Sequence, residues 1–379
     1  MILSDAPSQN EWDAFLLSQT FRPFLQSWTM GEVYRDIGQE PIRLMVKEGE
    51  EVIGICQAIF VPARRGRHLA IHYGPVVKKN EALAPLTAEL SRIAVERGCS
   101  FIRVSPFTPV VEEEKWKQAS DVKAVPSPLH LLGEHIWYLP LVNQDPWHNG
   151  THPAPAAEVH EPPLRGGDHS KRTDEEILMS MRKTTRNLIR RAEKEGVTVR
   201  ASTDPINELD LFLKLHNETR SRHGFTPYRD NFFRAQVAHF APRKECTLYL
   251  AEHQGEVLAA SIHMHTGGET SYHHGASTMS KIPASYLLQW TAIKDALKRG
   301  DHVYSFWGIA PVVAEEDPEG KTKNYKLITS RHPFAGVTLF KTGFGGNLLN
   351  LMHCVDIPLS KTYQLTRAFE FLRKWKRGF

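Results

Sequence analysis

The sequence predicts an α+β protein in which one structural unit occurs twice, each copy a mixed sheet flanked by helices. Three observations support this prediction. The chain has 379 residues, which is long for a single domain. Two stretches repeat the order strand pair, strand, helix, strand. Their glycine spacing also agrees, because Gly74 to Gly98 spans 24 positions and Gly275 to Gly300 spans 25.

The first copy begins with LMVKEGEEVIGICQAIFV, which is typical of two strands joined by a glycine-containing turn. HLAIHYGPVV supplies a third strand that ends near Gly74. We predict a helix from about Glu81 to Arg97, ended by Gly98 and followed by the apolar strand FIRVS. The apolar positions at helical spacing are Leu83, Leu86, Leu90 and Ile93.

The second copy repeats this order in the segments CTLYLAEHQGEVLAASIHMH, TSYHHGAST, SYLLQWTAIKDALKRG and HVYSFWGI. The inward positions of its helix are Leu287, Trp290, Ile293 and Leu297. Antiparallel strands followed by a helix and one more strand resemble the GNAT-like acyltransferase fold. Coincidence is the alternative, because this order of elements is common.

The domain boundary is predicted in NQDPWHNGTHPAPAAEVHEPPLRGGDHSK, a segment rich in Pro, Gly and His without apolar periodicity. We expect a first GNAT-like domain over 1–168, completed by a C-terminal helix over 351–379, and a second over 169–350. The second opens with a basic helix over 174–195, which Thr173 and Glu176 can begin as a capping box. The C-terminal helix carries Tyr363, Ala368, Leu372 and Trp375 on one side, and we expect it to dock on the first domain, with a membrane surface as the alternative.

Composition and missing motifs exclude several classes of protein. A net charge of +4 is too small for a protein that coats nucleic acid in general. The sequence contains no run of ~18 apolar residues, so it predicts neither export nor a membrane span. We therefore expect a cytoplasmic protein. The four cysteines are scattered, and no GxSxG, P-loop or GxGxxG motif occurs in the required context. His263, His265, His273 and His274 lie on neighbouring strands, but no cysteine or carboxylate joins them at ligand spacing, so we predict no metal and no cofactor.

The stretch GVTLFKTGFGGN, residues 336–347, is the most informative local pattern. We interpret it as an apolar strand that ends at Lys341 and is followed by a glycine-containing turn. A lysine beside such a turn suits a phosphate or a developing oxyanion, and a solvated lysine beside an ordinary turn is the alternative.

The chain resembles the Fem family of peptidoglycan bridge-forming aminoacyltransferases. The motifs MRKTTRNLIRRAEKEGVTV, YHHGAST, YLLQWTAIKDALKRG, SFWGI and GVTLFKTGFGG occur in the family's order and spacing, and LQSWTMGEVYRDIG and HYGPVV resemble its early motifs. The resemblance runs from about Gln26 to Pro358 and agrees with the duplication, because these enzymes carry two GNAT-like domains.

The resemblance implies transfer of an amino acid from aminoacyl-tRNA, as co-substrate, to an amino group of the peptidoglycan stem peptide. The acceptor would be lipid II or UDP-MurNAc-pentapeptide, and a lipid-linked one would bring the protein to the inner face of the membrane. It implies Lys341 as the catalytic candidate and Arg222 as the residue that reaches the diphosphate. Tyr272 and His274 would border the cleft.

The basic stripe on the predicted helix over 174–195 would meet tRNA phosphates, and a solvated basic face is the alternative. Its members are Lys183, Arg186, Arg190 and Lys194.

Departures from the family pattern leave the carrier and the donor amino acid open. Tyr34 falls where relatives often place a substrate-binding lysine, with Arg35 beside it as a substitute cation. Ser305 stands at a position that is often acidic, and His274 where tyrosine is frequent. A CoA-dependent GNAT N-acyltransferase and a non-catalytic RNA-binding protein are the alternative functions.

Overall fold

The computed structural model describes residues 1–4, 7–64, 66–147, 170–223, 228–316, 322–330 and 332–377. Most of the predicted linker therefore lies outside the described residues. The strands are β1 (Ile2–Ser4), β2 (Pro41–Glu48), β3 (Glu51–Val61), β4 (His68–His72), β5 (Val76–Val77), β6 (Phe101–Ser105), β7 (Val125–Pro126), β8 (His135–Pro140), β9 (Thr198–Ala201), β10 (Cys246–His253), β11 (Glu256–Thr266), β12 (Glu269–Ser277), β13 (Val303–Gly308), β14 (Val312–Glu316), β15 (Thr322–Leu327), β16 (Asn347–Asn350) and β17 (Val355–Pro358).

The helices are α1 (Gln9–Leu17), α2 (Trp28–Asp36), α3 (Leu83–Glu96), α4 (Glu113–Ala119), α5 (Asp174–Ser180), α6 (Lys183–Lys194), α7 (Leu209–His223), α8 (Asp230–Phe240), α9 (Ala284–Arg299), α10 (Ala335–Thr342) and α11 (Tyr363–Arg377). Within the described part of the chain, none of them combines the length and apolarity needed to cross a membrane.

The chain divides into two compact units. Among the described residues, the first unit contains Met1–Glu134, Trp147 and the C-terminal part that begins at Leu349. The second unit contains His135–Pro146 and the part from Ser170 to Leu348. The first sheet has the strand order β1-β2-β3-β4-β6-β17-β7, and β5 pairs with β3. The second has the order β16-β8-β13-β12-β11-β10-β9, and β14 and β15 form a separate hairpin.

The predicted repeat is confirmed by strand pairing. In the first unit β2, β3 and β4 pair antiparallel, and α3 then leads to β6, which pairs parallel with β4. In the second unit β10, β11 and β12 pair antiparallel, and α9 leads to β13, which pairs parallel with β12. The predicted inward residues of α9 are all buried, and those of α3 are buried except Ile93, which is partly buried against the same core. Both units therefore have the predicted GNAT-like α+β fold.

The predicted domain boundary needs a correction at β8. This strand lies between β13 and β16 in the second sheet, so residues 135–146 belong to the second unit and not to the first. From Ile136 to Pro140 every residue of β8 is buried, as expected for a strand inside a sheet. The composition of the linker marks where the apolar pattern ends, but it does not show which sheet the preceding strand joins.

The single basic helix predicted over 174–195 is two helices. Thr173 and Glu176 form the predicted capping box at the start of α5. The backbone of Met181 and Arg182 is extended between α5 and α6. Met181 is buried in the core, and the Arg182 amide donates to the carbonyl oxygen of Gly343 at 2.9 Å. These two tertiary contacts interrupt the helix.

The C-terminal helix α11 lies in the first unit, but it does not dock through the predicted apolar side. Tyr363 and Thr366 are buried, whereas the side chain of Leu372 is 60% exposed. The contact is largely ionic, because Arg103 bonds Asp356 of β17 at 2.8 Å and Glu370 of α11 at 2.6 Å. Polar contacts of this kind leave no trace in apolar periodicity.

Candidate functional site

The candidate site of the second unit lies where two parallel strands stop pairing. β12 and β13 pair only between Glu269–Ser271 and Val303–Ser305. Beyond this point β12 continues to pair with β11, and β13 pairs with β8, so the two strands no longer pair with each other. Strand edges that face each other without pairing leave backbone groups that can bind an extended ligand.

Irregularities in both strands accompany the separation. β13 is irregular between Ser305 and Trp307, and Trp307 has a positive φ of 66°. The hydroxyl of Ser305 accepts from the amide of Trp307 at 3.2 Å. In β12, His263 of β11 faces Tyr272 while Ile262 faces His274, so His273 is an extra residue. Such bulges redirect side chains beside functional sites.

Lys341 lies in the last turn of α10, and the sequence prediction of a strand here was wrong. Four residues of β-like apolar composition precede the lysine, but the helix is held by buried polar contacts. Thr338 accepts from the amide of Ala310 at 2.8 Å, and Thr342 accepts from Arg182 Nη2 at 2.8 Å. Both threonines are buried on the same face as Lys341.

The ammonium group of Lys341 is buried near the end of β13. Its Nζ donates to the carbonyl oxygen of Gly308 at 2.7 Å and lies 5.8 Å from the centre of the Tyr272 ring. Among the described residues no carboxylate lies within ion-pair distance. Burial lowers the pKa of Lys341 from 10.5 to about 7. A desolvated lysine of this kind responds strongly to any anion that enters the site.

Gly345 and Gly346 provide the tight turn that the sequence predicted after Lys341. Both have positive φ, at 78° and 106°. A Cβ on Gly346 would lie 2.2 Å from the carbonyl oxygen of Tyr138. The close approach is therefore to the backbone of β8, which places α10 against the sheet.

A buried hydrogen-bond network supports Tyr272. The hydroxyl of Tyr304 donates to Gln289 Oε1 at 2.6 Å, so its oxygen accepts from His263 Nε2 at 2.7 Å. His263 therefore carries a proton on Nε2, and because burial lowers its pKa well below 6.5, the ring is neutral. Its ring lies 5.4 Å from that of Tyr272. A Cβ on Gly275 would lie 1.7 Å from the Tyr272 hydroxyl, so only glycine fits beside it.

His274 faces a different layer from Tyr272, so the structure does not bring these two predicted residues together. Its ring packs edge-on against Phe233 at 4.8 Å and Tyr228 at 5.8 Å. Burial lowers its pKa well below 6.5, and its Nε2 has no hydrogen-bond partner within the described part of the chain. The bulge brings the His273 ring within 3.8 Å of it, and His273 also packs on Trp307 at 5.1 Å.

Comparison with known proteins identifies this arrangement. A model described as the FemAB family matches residues 8–135, and one described as an Acetyltransferase (GNAT) domain matches residues 179–326. The crystal structure of FemX superposes with a TM-score of 0.74 at 18% identity, covering 98% of this chain and 100% of that one. The chain is thus similar to the FemAB family over residues 8–135 and to GNAT acetyltransferases over residues 179–326, and it shares the fold of FemX.

Other solved structures share the fold of this chain. The C-terminal domain (DUF2156) of a putative lysylphosphatidylglycerol synthetase from Agrobacterium fabrum gives a TM-score of 0.56 at 13% identity, with 98% of this chain and 97% of that one covered. L-PGS from Bacillus licheniformis gives 0.51 at 12% identity, with 97% and 98% covered. No curated protein sequence matches the chain significantly. The two matched models describe the FemAB family and GNAT acetyltransferases, so both parts of the chain are similar to acyltransferases.

Three other predicted substrate-binding residues have separate surroundings. Arg222 lies in the last turn of α7, and its side chain is outside the described residues. In the first unit, Tyr34 is buried on α2, with its hydroxyl 3.3 Å from His72 Nδ1. Arg35 is exposed and paired with Glu40 at 3.0 Å and with Glu32. The charge of Arg35 is thus largely neutralised by its neighbours.

The predicted tRNA-binding residues divide into two groups. Lys183, Arg190 and Lys194 are exposed on α6, and none of them has a carboxylate partner among the described residues. Arg186 is half-buried, and its Nη1 donates to the carbonyl oxygens of Met179 at 3.1 Å and Met181 at 2.5 Å. It therefore caps the end of α5, a role that its place in the basic stripe did not suggest.

Sequence reasoning missed Trp307, Gly308 and His273 as parts of the site. All three lie in quoted motifs, SFWGI and YHHGAST. Their roles depend on strand irregularities at Trp307 and His273 and on a backbone carbonyl at Gly308. A bulge and a carbonyl acceptor have no distinct residue signature, although the pair His273–His274 before Gly275 was an available signal.

Proposed function

We propose that this protein acts as the Fem family does and transfers an amino acid from aminoacyl-tRNA to an amino group of the peptidoglycan stem peptide. The acceptor is a muropeptide carried on a diphosphate, either lipid-linked or nucleotide-linked. We expect the reaction in the cytoplasm, where charged tRNA is found. The observation that carries the proposal is the buried Lys341 at the point where β12 and β13 separate, because it bonds the Gly308 carbonyl but has no carboxylate partner among the described residues.

The reaction requires no covalent bond between the substrates and the protein. The amine nitrogen attacks the ester carbonyl carbon, the C–N bond forms, and the C–O bond to the tRNA breaks. The proton lost by the amine ends on the terminal ribose oxygen. Because the ester is already activated, no covalent enzyme intermediate is needed. The protein must orient the two substrates and stabilise the oxyanion that develops on the carbonyl.

Lys341 suits the stabilisation of that negative charge. Its pKa of about 7 means that part of the population is neutral without substrate at neutral pH. An anion within hydrogen-bond distance favours the protonated amine and raises the pKa again. In a buried site the resulting attraction is screened less than in water. The carrier diphosphate is the alternative anion for this lysine.

The separated strands offer a place for the stem peptide. Beyond Ser271 and Ser305, β12 and β13 do not pair with each other. An extended peptide can hydrogen-bond to such backbone edges, which gives orientation without side-chain specificity. Tyr272 and Trp307 border this region and provide aromatic surface.

The exposed cations of α6 are suited to the tRNA. Lys183, Arg190 and Lys194 have no described carboxylate partner, so their charge is available to phosphates. Two further cations of this helix are engaged, since Arg191 pairs with Glu195 at 2.8 Å and Arg186 caps α5. Three cations without a described carboxylate partner would give moderate, salt-sensitive binding to the tRNA.

A CoA-dependent acetyltransferase is the second candidate, because the matched domain model describes GNAT acetyltransferases. A pyrophosphate binds best to free backbone amides at a helix N-terminus. At the start of α9, the amides of Ala284 and Tyr286 already donate to Ile282 and Pro283 at 2.9 and 3.1 Å. The preceding segment TMSKIPASYLLQW also contains no glycine. Both observations favour aminoacyl transfer.

A mass-spectrometric assay distinguishes the candidates. The protein is incubated with a mixture of charged tRNAs, acetyl-CoA and a muropeptide, in lipid-linked and nucleotide-linked forms. The proposal expects an amino-acid mass on the muropeptide, and the added mass names the donor. An acetyl mass on the muropeptide would support the CoA-dependent acetyltransferase. No product with either donor, together with RNA binding, would support the non-catalytic alternative.

A further inference from the structure

A group of three potential metal ligands lies in the first unit, outside the acyl-transfer site. His130, Glu134 and His353 each offer one ligand atom, and these atoms all lie within 4.8 Å of one another. Glu134 lies between the two imidazoles. His130 Nδ1 is 2.9 Å from its Oε1, and His353 Nδ1 is 3.0 Å from its Oε2.

The imidazole of His353 is oriented by the backbone. Its Nε2 lies 2.9 Å from the carbonyl oxygen of Ser127, which can only accept, so Nε2 carries a proton. Its Nδ1 then faces the Glu134 carboxylate, 3.0 Å from Oε2. This orientation lets Nδ1 and the carboxylate contact the same metal ion. Histidines that bind metals are commonly oriented in this way, by a backbone carbonyl on the other nitrogen.

The carboxylate of Glu134 is held in place by the backbone. Its Oε1 accepts from the amide of Cys354 at 2.8 Å, and the Glu134 carbonyl oxygen accepts from Leu351 at 2.8 Å. Glu134 is 9% exposed, whereas the side chain of His130 is 52% exposed. Two ligands are thus preorganised, and the third is free to adjust to an ion.

We propose that His130, Glu134 and His353 bind a divalent transition-metal ion, best fitted by Zn²⁺. Two imidazole nitrogens and one carboxylate oxygen match the three protein ligands of an open zinc site, with water in the fourth position. Mg²⁺ and Ca²⁺ prefer all-oxygen sites and are disfavoured here. This inference is independent of the proposed acyl transfer, and it differs from the sequence prediction of no metal.

The position of the site indicates a structural role. Ser127 to Glu134 lies before the chain enters the second unit, and Leu351 to Cys354 lies where it has returned, just before β17. A bound ion would join these two segments of the first unit. Because it binds the folded chain, it would raise the stability of that unit by mass action.

The test uses the full-length, untagged chain after dialysis against a chelator. Calorimetric titration with zinc chloride and thermal unfolding with and without zinc are compared with the same experiments in magnesium chloride. We expect one zinc ion per chain, a higher Tm with zinc and no effect of magnesium. Cobalt(II) should give the visible absorption of a four-coordinate ion.

His130→Ala is the decisive variant, because this exposed side chain can be removed without opening the core. It should weaken zinc binding at least about ten-fold, as loss of one ligand does, and abolish the cobalt absorption. His253→Ala, a histidine of the second unit, is the matched control and should bind like the wild type. The proposal is overturned if the wild type takes up no zinc, or if His130→Ala binds it equally well. Either result would leave an imidazolium–carboxylate ion pair only.

Discussion

The Nζ atom of Lys341 donates a hydrogen bond to the carbonyl oxygen of Gly308 at 2.7 Å. This bond joins the last turn of α10 to the end of β13, where β13 has already separated from β12. A carbonyl dipole is a weak partner for a buried ammonium group, because it compensates only part of the lost hydration. The lysine is therefore held in position while its charge stays available to a stronger anionic partner.

Replacing Lys341 by methionine should impair catalysis and preserve the fold. The apolar stem is kept, but the charge that meets the oxyanion or the diphosphate is lost. We expect kcat/KM to fall about ten-fold to a thousand-fold. A change in KM alone would indicate diphosphate binding, and a change in kcat would indicate transition-state stabilisation. Lys298→Met, an exposed lysine on α9, is the control, and wild-type kinetics for Lys341→Met would remove this lysine from the site.

The stability of the protein should depend on pH through Lys341. In the folded chain burial lowers its pKa from 10.5 to about 7. Between these two values the unfolded chain binds more protons, so the free energy of unfolding contributed by this group rises with pH. Lys341→Met should therefore be more stable than the wild type at neutral pH, and the difference should shrink toward about pH 10. Urea denaturation of both proteins across this pH range measures the difference in their free energies of unfolding. A difference that does not change with pH would contradict the lowered pKa of Lys341.

Charge reversal at Arg190 and Lys194 should weaken the use of aminoacyl-tRNA. Both are exposed and have no described carboxylate partner, so each can contact a phosphate. Activity at limiting tRNA should fall, and the salt dependence of binding should flatten by a slope of about 0.7 to 0.9 per contact. Muropeptide binding should be unchanged. The control reverses Lys123 and Lys361, two exposed lysines of the first unit, and an equal loss in both double variants would mean that net charge alone matters.

Arg186 should matter for stability more than for tRNA. Its guanidinium donates to two carbonyl oxygens at the end of α5, which are left without a partner in Arg186→Met. We expect a loss of about 1 to 3 kcal/mol in the free energy of unfolding, measured by chemical denaturation. Arg190→Met on the exposed face should change stability little. If the two variants were equally stable, the capping role of Arg186 would be wrong.

The outer face of α11 should contact anionic lipid. Leu365, Phe371 and Leu372 are 75%, 47% and 60% exposed, and the acidic residue of this helix, Glu370, is already paired with Arg103. The helix sequence YQLTRAFEFLRKWKR contains five basic residues, so apolar and cationic groups are presented together. Cosedimentation with vesicles containing phosphatidylglycerol should therefore exceed that with neutral vesicles.

Changing these three residues of α11 to serine should abolish that difference. The matched control changes three apolar residues elsewhere in the first unit, Val95, Val110 and Val111, which are 60%, 47% and 63% exposed. Equal cosedimentation of the wild type with both kinds of vesicle, or an equal loss in the control, would remove the membrane contact.

Local sequence patterns predicted the elements that local forces control. Apolar spacing located α3 and α9, because a helix that buries one face repeats its apolar residues about every 3.6 positions. Glycine turns located the strand pairs. The same reasoning failed for α10. Its apolar run suits either a strand or a helix, and the choice was made by Thr338 and Thr342, whose partners Ala310 and Arg182 lie elsewhere in the sequence.

The sequence by itself determined that two similar α+β units are present, and it predicted, through the resemblance to the Fem family, that Lys341 is the catalytic candidate. Only the tertiary structure decided that β8 joins the second sheet and that Arg186 caps α5. It also decided that Lys341 is buried against Gly308, and that His130, Glu134 and His353 meet. The physical reason is the distance along the chain over which each kind of interaction acts. Periodicity and turn chemistry act over a few residues, whereas pairing, desolvation and ligand geometry depend on segments that are distant in the chain and adjacent only after folding.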